Sequence, residues 1–336
     1  MDIKELGELG LIKKLAAQFA TSHPRIIKGI GDDASVTLQD ETKYLLCTTD
    51  TLVEDIHFSL KYTPSYNLGR KAVSISLSDI AAMGGTPTFL LVSIVFPPTT
   101  PIDFIELFYK GIKEKAQEFG VGLIGGNTSS SPDKIVISTT MLGEVPKDQV
   151  LFRKGASVGD AIYVTGYLGD SALGLKVWQQ KGSTVIIDPF LKDAMLAHID
   201  PHPRVKEGII IAERRLATSM IDLSDGLISD LRHIVEESVV GAKVLLKQIP
   251  ISTSLKRWIL EHPQDIMLSL AGGEDYELLF TASPNNARLI EIMAKEIGAP
   301  VTRIGEIVPK ELCITVLDEN GKVVPLTTEG FEHFKQ

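Results

Sequence analysis

Apolar strand-like runs alternate with amphipathic stretches along this chain, and a polar stretch at 146–160 divides them into two blocks. The strand patterns of the first block lie at 44–49, 89–96 and 135–145, and its helix patterns lie at 67–83 and 102–119. The alternation lacks the regularity of repeated βαβ units. It predicts an α+β protein with two domains, at 1–150 and 151–336, and 336 residues leave room for two hydrophobic cores.

The charge balance and the apolar runs limit the partners. The formal net charge is −9 and no stretch is rich in lysine and arginine, so we expect no nucleic-acid partner. The longest apolar run, at 89–96, is too short to cross a membrane, so we expect no membrane partner. Cys47 and Cys313 form no metal-type pair, and the acidic start of the chain is unlike a signal peptide. Both features predict a reducing cytoplasm.

Acidic residues beside glycine, serine or threonine mark strand ends and glycine turns in both blocks. They are Asp33, Asp50, Asp79, Asp222, Asp225, Glu274 and Asp275. Acids that are brought together repel one another, so they shift their pKa values or need a counter-ion. Carboxylates with hydroxyls suit Mg²⁺, which keeps waters and shares itself with substrate phosphates. The pattern therefore indicates phosphate chemistry through magnesium.

Each of these signals, taken alone, also has a structural explanation. Ser224 or Asp225 can cap a helix that begins at Leu227, although a helix N-terminus also accepts phosphate. The segment GGNT at 125–128 fits a tight turn, or a loop whose backbone N–H groups approach phosphate. The alternatives to ligand binding are a surface position for Arg153, solvation for His57 and core packing for Tyr109.

Seven motifs, in order, carry a resemblance to a known family. They are GELGLI at 7–12, GIGDDA at 29–34, TTDTLV at 48–53, LSDIAAMG at 77–84, GGNT at 125–128, IDLSDGL at 221–227 and GGEDYEL at 272–278. Together with GFEHF at 330–334 they resemble the thiamine-monophosphate kinases, within the superfamily of aminoimidazole ribonucleotide synthetase-like ATP enzymes. The match covers nearly the whole chain.

The resemblance implies a fold and a reaction. The N-terminal sheet would form a barrel across a homodimer, and the C-terminal domain would be an α/β sandwich. ATP and thiamine monophosphate would give ADP and thiamine diphosphate by direct in-line transfer, with several Mg²⁺ ions and ATP as co-substrate. No general base is assigned, because the acceptor is already a nucleophilic phosphate.

The resemblance also implies roles by motif position. The implied magnesium ligands are Asp33, Thr48, Thr49, Asp50, Asp79, Asn127, Asp222 and Asp225. The implied ATP contacts are Tyr109, Gly126, Asn127, Arg153 and Ser224. The implied contacts to thiamine monophosphate are His57, Glu274 and Phe331.

Two departures and three rivals accompany the resemblance. Asn127 stands where relatives usually have a metal-binding Asp, so we expect weaker binding of one Mg²⁺; Thr328 stands where some relatives carry Trp. The enzyme rivals are a ring-closing ligase, whose purine-ribotide motifs are not evident, and a selenophosphate synthetase, whose reactive N-terminal Cys is missing. A non-catalytic nucleotide-binding relative is the third, and the retained acids argue against it.

Overall fold

Two mixed sheets organise the chain in the computed structural model, which describes residues 2–182, 189–326, 330–331 and 333–334. The elements of the first half are α1 (Ile3–Phe19), β1 (Ile26–Lys28), β2 (Ser35–Leu38), β3 (Lys43–Val53), α2 (Ser65–Ala82), β4 (Thr86–Phe96), α3 (Ile102–Glu118), β5 (Gly122–Ser130) and β6 (Val136–Pro146).

The second half contains six strands and seven helices within the described residues. They are β7 (Ala161–Thr165), α4 (Asp170–Lys181), α5 (Lys192–Ile199), α6 (Val205–Glu213), β8 (Ser219–Asp222), α7 (Leu227–Ser238), β9 (Gly241–Leu245), α8 (Thr253–Glu261), α9 (Leu268–Ala271), β10 (Leu278–Ala282), α10 (Ala287–Ile297), β11 (Val301–Val308) and β12 (Ile314–Leu317).

The strands form one six-stranded sheet in each half. The N-terminal sheet has the order β1-β2-β3-β6-β4-β5, and only its β4–β5 pair is parallel. The C-terminal sheet has the order β12-β9-β11-β7-β10-β8, and only its β12–β9 pair is parallel. Helices cover these sheets, so the α+β class is confirmed. None of the described helices is both long and apolar enough to cross a membrane.

Buried and partly exposed residues alternate along β4 and β6, and this alternation identifies the face of the N-terminal sheet that helix α2 covers. Leu90, Val92 and Ile94 of β4 are buried while the residues between them are partly exposed, and β6 shows the same period of two. The buried face packs against α2. On the other face, β6 presents the polar residues Ser138, Thr140 and Glu144, which are partly exposed.

Helix α2 is the most enclosed helix of the N-terminal half, because it contacts the sheet, α3, α6 and β8. Two glycines allow its close crossing with α3. A Cβ on Gly69 would lie 2.0 Å from the Phe108 carbonyl oxygen, and one on Gly111 would lie 2.0 Å from that of Tyr66. The hydrophobic core continues from α2 into the second half through Ile211. The two halves are therefore packed together along α2.

The structure corrects three local expectations. β3 does not end near Asp50 but continues to Val53, and 125–128 lies inside β5 and is no turn. Both polar stretches stay in strands because neighbouring strands satisfy their backbone groups. Strands β1, β2 and β9 and helices α6, α8 and α9 were not predicted from the sequence. The stretch 181–203, expected to be loop-like and partly helical, contains α5, and its residues 183–188 lie outside the described chain.

Candidate functional site

Helix α2 positions acidic side chains from both sheets. Ser76 Oγ donates to Asp50 Oδ2 on β3 at 2.5 Å. Ser78 Oγ donates to Asp222 Oδ2 at the end of β8 at 2.7 Å. Asp79 follows Ser78 directly in the same helix. One helix therefore aligns an acid of the N-terminal sheet with an acid of the C-terminal sheet.

Two buried acids, Asp33 and Asp222, and the partly buried Asp79 form the centre of the site. Asp33, Asp79 and Asp222 each offer one carboxylate oxygen, and these oxygens lie within 4.8 Å of one another. Arg153 holds Asp33, with Nη2 at 2.5 Å and Nε at 3.1 Å from Oδ1. Thr48 Oγ1 on β3 donates to Asp79 Oδ2. We call Asp33, Asp79 and Asp222 the acid cluster.

Burial and repulsion favour the protonated forms of the acid cluster. The pKa of Asp33 is raised, because the effect of burial exceeds the opposing effect of the Arg153 guanidinium. Burial, followed by the charges of Asp50, Asp222 and Asp33, raises the pKa of Asp79 well above its usual range. Burial, followed by the charge of Asp33, raises the pKa of Asp222 to about 8. Without a counter-ion, part of the cluster therefore keeps its proton at neutral pH.

The acid cluster fits a hard divalent cation. Asp33 Oδ2 is buried and has no hydrogen-bond partner among the described residues. A buried oxygen without a partner costs folding free energy, which a bound cation removes. The donors are carboxylate oxygens with the Thr48 hydroxyl beside them, and this set suits Mg²⁺ better than softer metals.

The loop between β8 and α7 carries the remaining predicted acid. Asp230 Oδ2 accepts hydrogen bonds from the backbone N–H groups of Asp225 at 3.2 Å and Gly226 at 3.0 Å. Gly226 has a φ of 118°, a conformation that glycine adopts without strain. The loop therefore holds a defined shape, and Ser224 and Asp225 line the cavity that separates the two halves.

That cavity has a volume of about 680 Å³. Its lining includes seven of the predicted site residues, namely Thr49, Asp50, His57, Ser224, Asp225, Glu274 and Phe331. Asp50 connects the cavity to the acid cluster, because its charge contributes to the raised pKa of Asp79. The cavity therefore runs from Asp50, whose charge acts on Asp79 of the acid cluster, to the three residues that the motifs assign to the substrate.

Two of the three predicted substrate contacts, His57 and Phe331, meet around His333. His57 Nε2 lies 3.2 Å from His333 Nε2, and the Phe331 ring meets the His333 ring edge-to-face at 4.8 Å. The backbone N–H of Phe331 donates to the Asp225 carbonyl at 3.1 Å. Burial and then His333 lower the pKa of His57, whereas Glu274 raises it. This end of the cavity combines aromatic rings with the carboxylate of Glu274.

Known proteins match the chain over nearly its whole length. Residues 31–145 match the AIR synthase related protein N-terminal domain, and 157–317 match its C-terminal domain. The chain is 35% identical to the thiamine-monophosphate kinase of Bacillus subtilis (strain 168), covering 98% of this chain and 100% of the relative. It is 37% identical to that of Escherichia coli (strain K12), covering 98% of each.

The chain belongs to the thiamine-monophosphate kinase family. A solved structure, AaThiL complexed with AMPPCP and TMP, aligns with a TM-score of 0.86 at 33% identity and covers 99% of each chain. The thiamine-monophosphate kinase from Stenotrophomonas maltophilia K279a aligns with a TM-score of 0.77 at 33% identity and covers 94% of this chain and 96% of that one. The recognition made from the motifs is therefore confirmed.

Three positions implied by the thiamine-monophosphate kinase motifs lie away from the cavity. Gly126 and Asn127 are exposed on β5, which is three strands from β3 in the sheet. Neighbouring strands of a sheet are about 4.8 Å apart, so three such spacings separate Asn127 by about 14 Å from the residue of β3 that lies directly across the sheet in the same chain. Tyr109 packs edge-to-face on Phe108 in α3. Their ligand contacts stay predictions.

Two further positions, Thr49 and Thr328, bear on the roles that the family resemblance implies. Thr48 and Asp50 face α2, but the Thr49 hydroxyl is on the opposite side of β3 and donates to the Thr139 carbonyl at 3.0 Å. The Thr49 side chain is therefore not aimed at the acid cluster, although the residue lines the cavity. Thr328, the second departure from the family, lies outside the described residues.

The motif reading missed the residues that hold these groups in place. Ser76 and Ser78 support two acids, and Lys71 and His198 contact Glu274. A signal was present for Lys71, because the helix pattern at 67–83 places it among apolar neighbours. A lysine within a predicted buried face needs a partner. No comparable signal marks His198.

Proposed function

We propose that this protein transfers the γ-phosphoryl group of ATP to thiamine monophosphate, giving thiamine diphosphate and ADP. The observation that carries the proposal is the cavity that brings Asp50 and Asp225 together with His57, Glu274 and Phe331, with Asp50 acting electrostatically on the magnesium-compatible acid cluster. Full-length relatives are thiamine-monophosphate kinases, and the related AaThiL is complexed with AMPPCP and TMP.

We propose that the carboxylates and hydroxyls around α2 and β8 hold magnesium. The proposed ligands are Asp33, Thr48, Thr49, Asp50, Asp79, Asn127, Asp222 and Asp225. Bound magnesium supplies charge neutralisation for the phosphates of both substrates, which an acidic chain cannot supply by itself. Because the Thr49 hydroxyl faces Thr139, its contribution would come from the backbone carbonyl.

Arg153 and Ser224 are the proposed ATP contacts nearest the acid cluster. Arg153 is held by Asp33 through its guanidinium and by Asp32 Oδ1 through its backbone N–H at 3.2 Å. A guanidinium stays protonated and offers five donors in one plane. Because Asp33 occupies one edge of the Arg153 guanidinium, the remaining N–H donors of that group are available to phosphate oxygens.

The transfer needs positioning more than proton removal. An oxygen of the acceptor phosphate attacks the γ-phosphorus of ATP, and the bond to the β–γ bridging oxygen breaks with its electron pair leaving on ADP. The transition state is loose, so alignment of donor and acceptor dominates the rate. His57 and Glu274 would orient thiamine monophosphate, and no phosphorylated side chain forms.

A homodimer completes the proposal. In the described chain β5 has a strand neighbour on one side only, and the apolar residues Leu123 and Ile124 are exposed on it. An exposed strand edge of this length pairs readily with another chain. Asn127 is about 14 Å from β3 of its own chain, so a second copy that packs its sheet here would bring Asn127 and Gly126 to the other subunit's cavity.

We place the reaction in the cytoplasm. Cys47 and Cys313 are free thiols in the structure, and Cys313 is exposed. Exposed thiols persist in reducing compartments.

The deciding experiment incubates purified protein with ATP, Mg²⁺ and thiamine monophosphate and measures thiamine diphosphate by chromatography. The test variant is Asp225→Ala, and the control is Asp148→Ala, whose side chain pairs with Arg215 at the surface. We expect product that depends on metal, is lost in Asp225→Ala and is retained in Asp148→Ala. ATP binding without product would reject the kinase function and favour a non-catalytic or sibling role.

A further inference from the structure

Glu274 occupies an unusual position in the cavity wall. Its φ is 65°, a conformation that costs a non-glycine residue free energy, and its backbone N–H donates to the Ser224 carbonyl at 2.7 Å. The strained backbone turns the carboxylate toward the cavity between the two halves. Strain of this kind persists only where surrounding contacts hold it, so the partners of this carboxylate are informative.

The first partner comes from the other half of the protein. Lys71 lies on α2, and its Nζ is 2.8 Å from Glu274 Oε1. The Lys71 side chain is 1% exposed, whereas that of Glu274 is 24% exposed. A buried ammonium is costly unless a carboxylate compensates it. The ammonium is therefore behind the carboxylate, and the carboxylate separates it from the cavity.

The second partner is a buried histidine. His198 Nδ1 on α5 lies 3.2 Å from Glu274 Oε2, and Ser171 Oγ lies 3.2 Å from the same nitrogen. Burial and then Lys71 lower the pKa of His198, so the ring is neutral at pH 7. The contact with a carboxylate assigns the single proton of the neutral ring to Nδ1, which donates to Glu274.

The two partners engage both oxygens of Glu274 and leave each with a lone pair. Although burial opposes ionisation, Lys71 and His198 lower the pKa of Glu274 to about 2. An ionised carboxylate with a fixed plane can accept hydrogen bonds from a ligand in one geometry only. Thiamine monophosphate carries an amino group that can donate to such an acceptor, and a quaternary thiazolium ring whose positive charge the carboxylate attracts.

We propose that Lys71 and His198 are positioning residues that fix Glu274 for recognition of the organic part of thiamine monophosphate. The inference rests on the proposed function and deepens it. Because Lys71 belongs to the N-terminal half and Glu274 to the C-terminal half, the substrate site is complete only while both halves are docked along α2.

The test compares variants that remove one partner each. Lys71→Met removes the ammonium and keeps the length of the side chain. His198→Phe removes the donor, and His198→Asn retains an N–H donor near the position of Nδ1. Titration calorimetry measures the dissociation constants of thiamine monophosphate and of ATP separately, and steady-state kinetics gives KM and kcat. Thermal unfolding reports the stability of each variant.

Lys115→Met is the matched control. Lys115 is a second buried lysine, 2% exposed, that pairs with Asp200 at 3.1 Å and donates to the Pro201 carbonyl. It does not line the cavity. The control is stringent because Asp200, the partner of Lys115, follows His198 by only two residues. If the variants merely disturbed the packing around the end of α5, Lys115→Met would also weaken binding of thiamine monophosphate.

We expect Lys71→Met and His198→Phe to weaken binding of thiamine monophosphate about 10- to 100-fold, the range for a lost hydrogen bond to a charged group. ATP binding should stay within about threefold, His198→Asn should restore most of the affinity, and Lys115→Met should change only the melting temperature. In a double-mutant cycle, Lys71→Met should cost much less when Glu274 is already Gln.

Three results would overturn the inference. They are unchanged affinity for thiamine monophosphate in both variants, equal loss of affinity for both substrates, and His198→Asn behaving like His198→Phe. If Lys71→Met does not fold, the two His198 variants decide the question alone. An inactive wild-type protein rejects the proposed function instead, so the two failures are distinguished by the wild-type assay.

Discussion

Ser78 Oγ, near the C-terminal end of helix α2, lies 2.7 Å from Asp222 Oδ2 at the end of β8. Both side chains are buried, and they belong to different halves of the protein. Asp79, the next residue of α2, belongs to the acid cluster together with Asp222. The geometry of the proposed metal site therefore depends on how α2 packs against the C-terminal sheet.

Replacing Ser78 by Ala should weaken magnesium binding without unfolding the protein. The substitution removes the hydroxyl that orients Asp222, and losing such a supporting partner typically costs 10- to 100-fold in metal affinity or activity, so about tenfold is expected. The measurement is the Mg²⁺ concentration for half-maximal activity. Ser74→Ala is the control, because Ser74 is equally buried on α2 but donates to the Pro201 carbonyl. Equal behaviour of the two variants would contradict the assignment.

Asp79→Asn should stabilise the metal-free protein while removing activity. Burial and the charges of three neighbouring acids raise the pKa of Asp79, so the metal-free fold disfavours the ionised form that the unfolded chain adopts at neutral pH, and an uncharged isostere removes that cost. We expect a melting temperature about 2–5 °C higher without magnesium, and a kcat at least about 100-fold lower with it. Thermal unfolding in a chelator and the thiamine diphosphate assay check the two effects. A lower melting temperature would show that Asp79 is a stabilising residue.

The stability of the metal-free protein should fall as the pH rises. The pKa of Asp222 is raised from 3.8 to about 8 in the folded state, so the folded protein binds a proton that the unfolded chain has released. Unfolding between pH 4 and 8 therefore releases this proton, and the free energy of unfolding declines across that window. Saturating Mg²⁺ should reduce the decline, because it stabilises the ionised cluster. Parallel pH profiles with and without Mg²⁺ would contradict the metal site.

Asn127→Asp should lower the magnesium requirement. An added carboxylate binds Mg²⁺ more strongly than an amide carbonyl, and we expect the half-maximal Mg²⁺ concentration to fall about three- to tenfold. The control is Asn286→Asp, since Asn286 donates to backbone carbonyls far from the cavity. An unchanged magnesium dependence in Asn127→Asp would show that this position does not reach a metal.

Mixing two inactive variants should restore activity if Asn127 acts in the neighbouring subunit. Asn127→Lys damages one side of each shared site, and Asp79→Asn damages the other side. A dimer with one subunit of each kind has one intact site, so random exchange predicts about a quarter of the wild-type activity. The assay follows product after co-refolding. No recovery, with dimers verified by light scattering, would place Asn127 outside the site of the partner.

Local pattern predicted much of this protein. The helices around 67–83 and 102–119 and the strand at 89–96 follow from periodicity of apolar residues, and the structure has α2, α3 and β4 there. The ordered motifs identified the family before any geometry was known. The acids beside glycine and threonine indicated a cation site because like charges on loops and strand ends need a counter-ion wherever they meet.

Pattern failed where long-range contacts decide the outcome. The polar segments after Cys47 and Ile124 suggested strand ends, yet β3 and β5 continue because neighbouring strands satisfy their backbone groups. The same pairing sets which face each side chain takes, so Thr48 meets Asp79 whereas the Thr49 hydroxyl turns to the other side. The local composition of a segment does not determine the register with which its strand pairs in a sheet.

The amino-acid sequence by itself determined the family, the reaction class and the chemical type of the site, since these depend on the residue types and their order along one chain. The tertiary structure alone decided that Asp33, Asp79 and Asp222 converge, that Lys71 reaches Glu274 across the two halves, and that Asn127 is separated from its own cavity. These relations join residues far apart in the chain. They are set by how α2 packs between two sheets, which no local pattern encodes.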